Sequence, residues 1–300
     1  MNFASFVRWL AGAACIAFST AAGAQQGPLV DAEWLAANLN NPKVRVFEVS
    51  VDPGVYERGH VPGAVNIRWH SELVDPVKRD IVGRESFKTM LENAIVLYGD
   101  NNNWFAAWGA WVFAMYGVEA KLLDGGRKYW EMKGLPLDSK TPGYTKTTVA
   151  LPATKSELRA RLGDVLAVVD GKTKAAILDI RGPDEFSGKL FAPDGSKELS
   201  IRAGHVPGAK NVPWSRAVDP ATGKFLPKDQ LQKLYAEVGV DGKQPIITYC
   251  RIGERSSHTW FALSKILGYS VKNYDGSWTE YGNAVGVPVT NVAGTVWQGK

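Results

Sequence analysis

Short apolar runs alternate with longer runs of helical spacing through most of the chain. Apolar runs that are bounded by polar or turn-forming residues are typical of buried strands, and apolar residues that recur at helical spacing predict amphipathic helices. Strands and helices in alternation favour a parallel, doubly wound α/β sheet flanked by helices. The strand-like runs are 44–51, 94–98, 176–180 and 246–249, and the helix-like runs are 104–116, 158–169 and 258–267.

The order of these runs repeats along the chain. The hexapeptide Gly-His-Val-Pro-Gly-Ala stands at 59–64 and again at 204–209. The segment 98–125 corresponds to the segment 249–276 at a constant offset of 151 residues. A repeat that is one domain long indicates a duplicated domain rather than a solenoid of short repeats. We therefore predict two tandem α/β domains of the same fold.

A polar stretch between the two copies marks the domain boundary. It is rich in Lys and Thr and contains Pro142 and Pro152, a composition typical of a linker. We predict an N-terminal domain at 25–140, a linker at 141–155 and a C-terminal domain at 156–300.

The first residues have the pattern of a secretory signal. Arg8 precedes an apolar core at 9–18, and the segment 22–24 reads Ala-Gly-Ala, which resembles a cleavage site. The apolar core is too short for a permanent membrane span. We predict that residues 1–24 are removed, and that the mature protein is periplasmic or secreted without a stable membrane anchor. An uncleaved anchor or lipidation at Cys15 is the alternative.

Composition excludes several classes of function. The net charge is +5 and its excess is scattered, so no nucleic-acid partner is predicted. The sequence contains no metal-ligand cluster, dinucleotide fingerprint or phosphate-binding loop motif, so no metal or other cofactor is predicted. Of the two cysteines, removal of the signal leaves Cys250 alone. A single thiol cannot form an intramolecular disulfide, which leaves it free for chemistry.

The loop that begins at Cys250 has the features of an activated thiolate site. Cys250 follows the strand-like run 246–249 and precedes a helical run, so the helix directs its N-terminus at the sulfur. Backbone N–H groups and the helix dipole favour negative charge there. Arg251 and Arg255 add positive charge within the same loop.

The corresponding loop of the first half lacks this chemistry. Gly99 stands at the position of Cys250, and the loop 99–104 reads Gly-Asp-Asn-Asn-Asn-Trp. It contains neither a nucleophile nor an arginine. We predict that the first half is a non-catalytic copy that packs against the second.

These features together resemble the two-domain rhodanese family, the thiosulfate sulfurtransferases. The resemblance covers the duplicated halves, the repeated hexapeptide and the Cys-Arg-Ile-Gly-Glu-Arg-Ser-Ser sequence at 250–257. It implies that Cys250 carries a persulfide and that 250–255 forms a six-residue cradle for the substrate. The implied substrate-binding residues are Arg251, Ile252, Gly253, Glu254 and Arg255. The Cys-Arg-x-Gly form is similar to that of thiosulfate enzymes, whereas mercaptopyruvate enzymes have Cys-Gly-x-Gly.

The resemblance implies a two-step transfer of sulfur. Thiosulfate would give its outer sulfur to Cys250 and release sulfite, and cyanide or a thiol would then remove that sulfur. A 3-mercaptopyruvate sulfurtransferase is the first alternative. A persulfide carrier that delivers sulfur to a partner protein is the second. A cysteine phosphatase is disfavoured, since its loop needs Arg six positions after Cys, where Ser256 stands here.

The residue that would hold the anionic end of the donor is less clearly marked. The family uses an arginine from the second domain a few residues after the strand 176–180. Here the corresponding stretch 183–186 reads Pro-Asp-Glu-Phe. Arg181, at the end of that strand, is therefore predicted to bind substrate, and Arg202 is a second candidate. A structural ion pair is the competing interpretation for each.

Several other residues have predicted structural roles. Gly253 is expected to permit a tight turn, and Ser256 or Ser257 to cap the following helix. His60 and His205 occupy the repeated hexapeptide, of which only one copy lies in a half with a nucleophile, so both are interpreted as fold residues. His258 is not expected to act as a base, because a preformed thiolate needs none. Trp104, Trp108 and Trp111 recur at helical spacing, which predicts a core stripe.

Overall fold

Two parallel five-stranded sheets form the framework of the computed structural model, which describes residues 27–87, 94–143, 150–196 and 200–297. The strand order is β1-β7-β6-β2-β3 in the first half and β8-β12-β11-β9-β10 in the second, so both halves have the same topology. This confirms the predicted duplicated α/β fold. The first-half strands are β1 (Leu29–Val30), β2 (Val44–Glu48), β3 (Val65–Asn66), β4 (Val74–Asp75), β5 (Asp80–Ile81), β6 (Ala94–Tyr98) and β7 (Ala120–Leu123). The second-half strands are β8 (Arg159–Ala160), β9 (Ala176–Asp179), β10 (Lys210–Asn211), β11 (Ile246–Tyr249) and β12 (Val271–Tyr274).

Helices flank both sheets. Strands β4 and β5 stand apart as a two-stranded antiparallel hairpin in the first half. Short helical turns lie at 69–73, 156–158, 214–217 and 261–266, and the last of these continues α8. The helices are α1 (Ala32–Ala37), α2 (Arg84–Phe87), α3 (Trp104–Met115), α4 (Gly126–Met132), α5 (Leu162–Val169), α6 (Pro183–Ser187), α7 (Lys228–Ala236), α8 (Glu254–Trp260) and α9 (Ser277–Tyr281).

Most predicted elements are confirmed, but β2 ends at Glu48 and two helix starts differ from the prediction by four residues. The run 158–169 was predicted as one helix, but β8 occupies its start and α5 begins only at Leu162. Arg159 and Ala160 pair with β12, and this edge pairing overrides the helical pattern of the sequence. The helix after Cys250 begins at Glu254 rather than at His258. The predicted signal at 1–24 and part of the predicted linker lie outside the described residues.

One apolar core is shared by the two halves. Helix α3 of the first half packs against α8 of the second, and these are corresponding helices of the duplicated fold. Trp108 and Trp111 of the predicted tryptophan stripe are buried in this core with Trp260 and Phe261, whereas Trp104 is only partly buried and packs against the core. Each sheet also has a separate core on its outer face. The first half is therefore a structural partner of the second. In the described part of the chain, no helix is both long and apolar enough to cross a membrane.

The loop after β6 has no room for a side chain in the position of Cys250. A Cβ atom added to Gly99 would lie 2.2 Å from the carbonyl oxygen of Val49. The next residues form a left-handed turn, with φ between 45° and 66° at Asn101, Asn102 and Asn103. The side chain of Asn103 accepts a hydrogen bond from the Gly99 N–H at 2.9 Å. This loop therefore cannot hold a side chain in the position of Cys250 without moving.

We expect Gly99→Ala to destabilise the protein by about 1–3 kcal/mol, because the new Cβ overlaps a buried backbone oxygen. Gly83→Ala is the matched control, since a Cβ there meets open space, and its effect should stay within about 0.5 kcal/mol. Urea unfolding of both variants measures the difference. Equal stability of the two variants would contradict the overlap seen at Gly99.

Candidate active site

Cys250 lies at the carboxyl end of β11, the central strand of its sheet, and its side chain is buried. Sites of α/β proteins form at this edge of the sheet, because the loops after the strands converge there. The Cys250 N–H donates to Ser277 Oγ at 3.0 Å, and the Cys250 carbonyl accepts from the Trp278 N–H at 3.1 Å. Helix α9, which follows the neighbouring strand β12, therefore holds the backbone of Cys250 in place.

The sulfur of Cys250 receives a backbone hydrogen bond. The Gly253 N–H donates to Sγ at 3.1 Å, and Ser277 Oγ lies 3.9 Å from Sγ while donating to the Tyr274 carbonyl at 2.7 Å. Helix α8 begins one residue later, at Glu254, so its positive dipole end lies beside the sulfur. These groups place a backbone donor and the start of a helix beside Sγ, an arrangement that favours negative charge there.

Gly253 is the cap of α8, which corrects the predicted role of the serines. Its φ is +97°, and a Cβ there would lie 2.3 Å from the Asp275 carbonyl oxygen, so only glycine fits. Ser256 and Ser257 lie inside the helix and donate to the Gly253 carbonyl at 2.8 and 3.2 Å. Asn273 donates to the same carbonyl at 3.1 Å. The serines therefore hold the Cys250 loop through the Gly253 carbonyl and do not cap the helix.

A cavity of about 310 Å³ lies over the loop, between the two halves. Ile252 and Glu254 line it from the Cys250 loop, whereas Cys250 and Gly253 are not among its lining residues. Cations from both halves surround it, and they are Lys78 and Arg79 on the hairpin of β4 and β5, with Arg159 and Arg161 around β8. The remaining lining residues are Val74, Asp80, Trp108, Ala160, Asp275, Gly276, Thr279 and Glu280.

The two arginines of the loop point to other partners. Arg251 is buried and pairs with Glu185 through its Nη2 at 3.0 Å. The guanidinium of Arg255 lies over the ring of Trp104, 5.7 Å from the ring centre. Neither is among the residues that line the cavity. Glu185 stands in the stretch where the sequence lacks the expected arginine, so Arg251 supplies a positive charge to that place from another element.

The cations that surround the cavity were missed by the sequence analysis. Arg159 joins the halves, because it bonds Asp80 at 2.6 Å and Asp275 at 2.9 Å. Arg79 Nη1 lies 3.6 Å from Glu254 Oε1 and is half-exposed. Lys78 and Arg79 stand in the half without a nucleophile, far from Cys250 in sequence, and no motif marks them. Only their position on an inserted hairpin could have drawn attention to them.

Comparison with known proteins agrees with this geometry. The family described as "Rhodanese-like domain" matches the chain twice, at residues 31–133 and 154–284.

The chain belongs to the rhodanese family.

A protein from Mycobacterium bovis named "Putative thiosulfate sulfurtransferase 1" is 49% identical over 271 residues, which cover 87% of this chain and 96% of that protein. A protein from Thermus thermophilus named "Sulfur carrier protein TtuD" is 44% identical over 275 residues, covering 87% of this chain and 95% of its own. SseA from Escherichia coli, described with the 3-mercaptopyruvate sulfotransferases and the rhodanese fold, superimposes with a TM-score of 0.72 at 26% identity. That alignment covers 84% of this chain and 99% of SseA.

Arg181 of this rhodanese lies in a buried cluster that has a counterpart in the other half. Its guanidinium donates to Asp179 at 2.6 Å and to the Gly204 carbonyl at 2.7 Å, and Tyr249 donates to the same Asp179 carboxylate at 2.6 Å. Burial, followed by the charge of Asp179, raises the pKa of Tyr249 well above its usual value, so the phenol stays protonated.

The corresponding cluster of the first half is built from Arg127, Glu48 and Tyr98. Arg127 bonds the Glu48 carboxylate at 3.0 Å and the Gly59 carbonyl, and Tyr98 donates to Glu48. The arginine comes from α4 in this half, yet it contacts the same glycine of the repeated hexapeptide. An interaction present in the half without a nucleophile favours a structural role, so the predicted donor contact of Arg181 gains no support. Arg202 is equally committed, to the carbonyls of Tyr281, Gly282, Ala284 and Val287.

The histidines have structural surroundings in both halves. The rings of His60 and His205 stack on Tyr56 and Phe186 respectively, and each Nδ1 lies within hydrogen-bond distance of the carbonyl of its stacking partner. His258 is buried between aromatic rings, and burial lowers its pKa to about 3. Its ring is therefore neutral at physiological pH and packs in the core.

Arg127→Ala and Arg181→Ala should lower stability alike, by about 3–5 kcal/mol each, because either change leaves a buried carboxylate without its partner. Urea unfolding followed by fluorescence measures both. If Arg181→Ala unfolds like the unchanged protein but needs much more sulfur donor for half-maximal rate, Arg181 is a donor ligand and the structural assignment is wrong.

Proposed function

We propose that this rhodanese is a thiosulfate sulfurtransferase that works through a persulfide on Cys250. The observation that carries the proposal is the placement of Cys250 Sγ at the end of the central strand, hydrogen-bonded by the Gly253 N–H, in a loop whose Ile252 and Glu254 line the cavity between the two halves. Thiosulfate is a small dianion that the cavity is large enough to admit, and the half-exposed Arg79 offers it a positive charge beside the loop. The other side chains of the lining include the carboxylates of Asp80, Asp275 and Glu280. The names of the mycobacterial relatives support the same donor.

The first step moves the outer sulfur of thiosulfate to the protein. The Cys250 thiolate attacks that sulfur, a new S–S bond forms, and the S–S bond of thiosulfate breaks. Sulfite leaves with the bonding electron pair. The start of α8 and the Gly253 N–H, which stabilised the thiolate, then lie close to the persulfide. Burial of Cys250 excludes bulk water from the intermediate.

The second step regenerates the Cys250 thiolate. Cyanide or a thiolate attacks the outer sulfur, the S–S bond to Cys250 breaks, and Sγ leaves as the thiolate. The product is thiocyanate or a new persulfide. Since one group is released before the acceptor reacts, the kinetics should be ping-pong. Export to the periplasm or exterior, proposed from residues 1–24, would place this chemistry outside the cytoplasm.

A 3-mercaptopyruvate sulfurtransferase is the second candidate, and the likeness to SseA favours it. A carrier that passes sulfur to a protein is the third, favoured by the name of the Thermus relative. Rates with thiosulfate and 3-mercaptopyruvate at equal concentration separate the first two candidates. Slow turnover with cyanide that one acceptor protein accelerates would favour the carrier.

We expect the intact mass of the protein to increase by one sulfur atom after incubation with thiosulfate, and to return to its original value after cyanide is added. Cys250→Ser should show no increase, since serine cannot hold sulfane sulfur. Mass spectrometry of both proteins measures this directly. An unchanged mass in the native protein, or an increase that persists in Cys250→Ser, would exclude the proposed mechanism.

A further inference from the structure

Glu254 is an unusual neighbour for the nucleophile of an enzyme that takes anions. Its side chain is 2% exposed, and it follows Gly253 at the first position of α8. Within the described residues its Oε2 is buried without a hydrogen-bond partner. A buried carboxylate without compensation is unfavourable, so an opposing charge or a proton has to neutralise it.

The opposing charge comes from the other half of the protein. Arg79 Nη1 lies 3.6 Å from Glu254 Oε1, which is too long for a good hydrogen bond. Half of the Arg79 side chain is exposed, and both residues line the cavity over the Cys250 loop. A loose and partly exposed pair of this kind can be exchanged for another partner at low cost.

The hairpin is built to hold Arg79 in this place. Asp75 Oδ1 accepts from the N–H groups of Val77 and Lys78 at 3.0 and 3.1 Å, and the Arg79 N–H donates to the Asp75 carbonyl at 2.9 Å. Arg79 has a φ of +57°, in the left-handed region that residues with a side chain rarely adopt. Such an outlier persists only where the surroundings impose it, and it often marks a functional position.

Within the described residues, the other cations near the loop are bound elsewhere or form no ion pair with it. Arg251 is held by Glu185, and Arg159 is held by two carboxylates. Lys78 and Arg161 line the cavity but form no ion pair with a loop residue in the described part of the chain. Arg79 is the cavity cation that contacts the Cys250 loop through a side chain.

We propose that Arg79 binds the anionic end of the sulfur donor, and that it leaves Glu254 to do so while Glu254 takes up one proton from solvent. The inference rests on the proposed function, and it gives the half without a nucleophile a direct part in donor recognition. Arg79 would then be the second donor anchor that the sequence does not mark.

The proton uptake follows from the charges around Glu254. These are Arg79 and Asp80 on the hairpin, Arg159 on β8, Cys250 in the loop, Asp275 after β12 and Glu280 in α9. Burial, followed by the negative charge of Cys250, raises the pKa of Glu254 well above its usual value, and Arg79 opposes this rise. When Arg79 moves to the donor, that opposition is lost and an anion is added, so the protonated form of Glu254 is favoured.

Donor affinity should fall as pH rises through the range in which Glu254 ionises. If the pKa of a carboxyl group rises when the donor binds, binding takes up a proton. The affinity for the donor therefore falls as pH rises from the pKa of Glu254 in the free protein to its pKa in the complex. Below this range, Glu254 is already neutral and Arg79 is available. Above it, the donor competes with the Glu254 carboxylate for Arg79.

The test compares steady-state kinetics of the native protein with Arg79→Ala, Arg79→Lys and Arg68→Ala. Arg68 is a matched control, because it is an exposed arginine of the same half, lies 3.6 Å from Glu72 and is not among the cavity-lining residues. Arg79→Ala should raise KM for thiosulfate about tenfold or more with little change in kcat. Arg79→Lys should restore part of the affinity, and Arg68→Ala should match the native protein. The KM for cyanide should not change.

The uptake of a proton is measured by calorimetry of thiosulfate binding in two buffers of different ionisation enthalpy. The protein used is Cys250→Ser, which binds the donor but cannot react with it. We expect uptake of protons on binding, and none in the Cys250→Ser, Glu254→Gln double variant.

The outcomes separate this inference from the proposed function. If the native protein gains no sulfur from thiosulfate, the proposed function is wrong. If it gains sulfur but Arg79→Ala has the KM of Arg68→Ala, the role of Arg79 is wrong. If Arg79→Ala raises KM but binding takes up no proton, the coupling to Glu254 is wrong.

Discussion

The active site depends on the packing of α3 against α8. These helices are the same element of the duplicated fold, and each follows the central strand of its own sheet. Their facing sides, with Trp108 and Trp260, form the core that the two halves share. Because α8 begins at the Cys250 loop, fixing α8 against α3 also fixes the loop relative to the first-half hairpin. The first half thereby supports the nucleophile and supplies one wall of the cavity.

Duplication allowed the two loops to diverge. In the second half, the turn at Gly253 directs a backbone N–H at the Cys250 sulfur. In the first half, Asn103 accepts from the Gly99 N–H within the loop, and Asp100 accepts from the N–H groups of Val51 and Asp52 in the segment after β2. Gly99 is packed against a backbone oxygen, so this loop has neither a nucleophile nor the space for one.

The electrostatics of the site depend on which cations are not already paired with a buried carboxylate. Arg181 and Arg251 each pair with a buried carboxylate, and removing water from such pairs makes them poor ligands for a passing anion. The positive charge that faces the cavity comes instead from its exposed rim. A buried carboxylate at Glu254, beside the nucleophile, adds a group whose charge depends on its surroundings. The site therefore combines Cys250, which backbone hydrogen bonds hold in place, with the carboxyl group of Glu254, whose charge depends on its neighbours.

The sequence by itself determined the duplicated α/β fold and the position of Cys250 after the central strand, and it predicted that Cys250 is the nucleophile and that the first-half loop is non-catalytic. Periodicity, a constant offset and the position of Cys250 after a strand are local properties, and local rules govern them. Only the tertiary structure decided which charged residues meet. Arg251 reaches Glu185, and Arg79 reaches Glu254 across the junction between the halves. Long charged side chains pair with whichever opposite charge lies nearest in the folded protein, and no local sequence pattern specifies that neighbour.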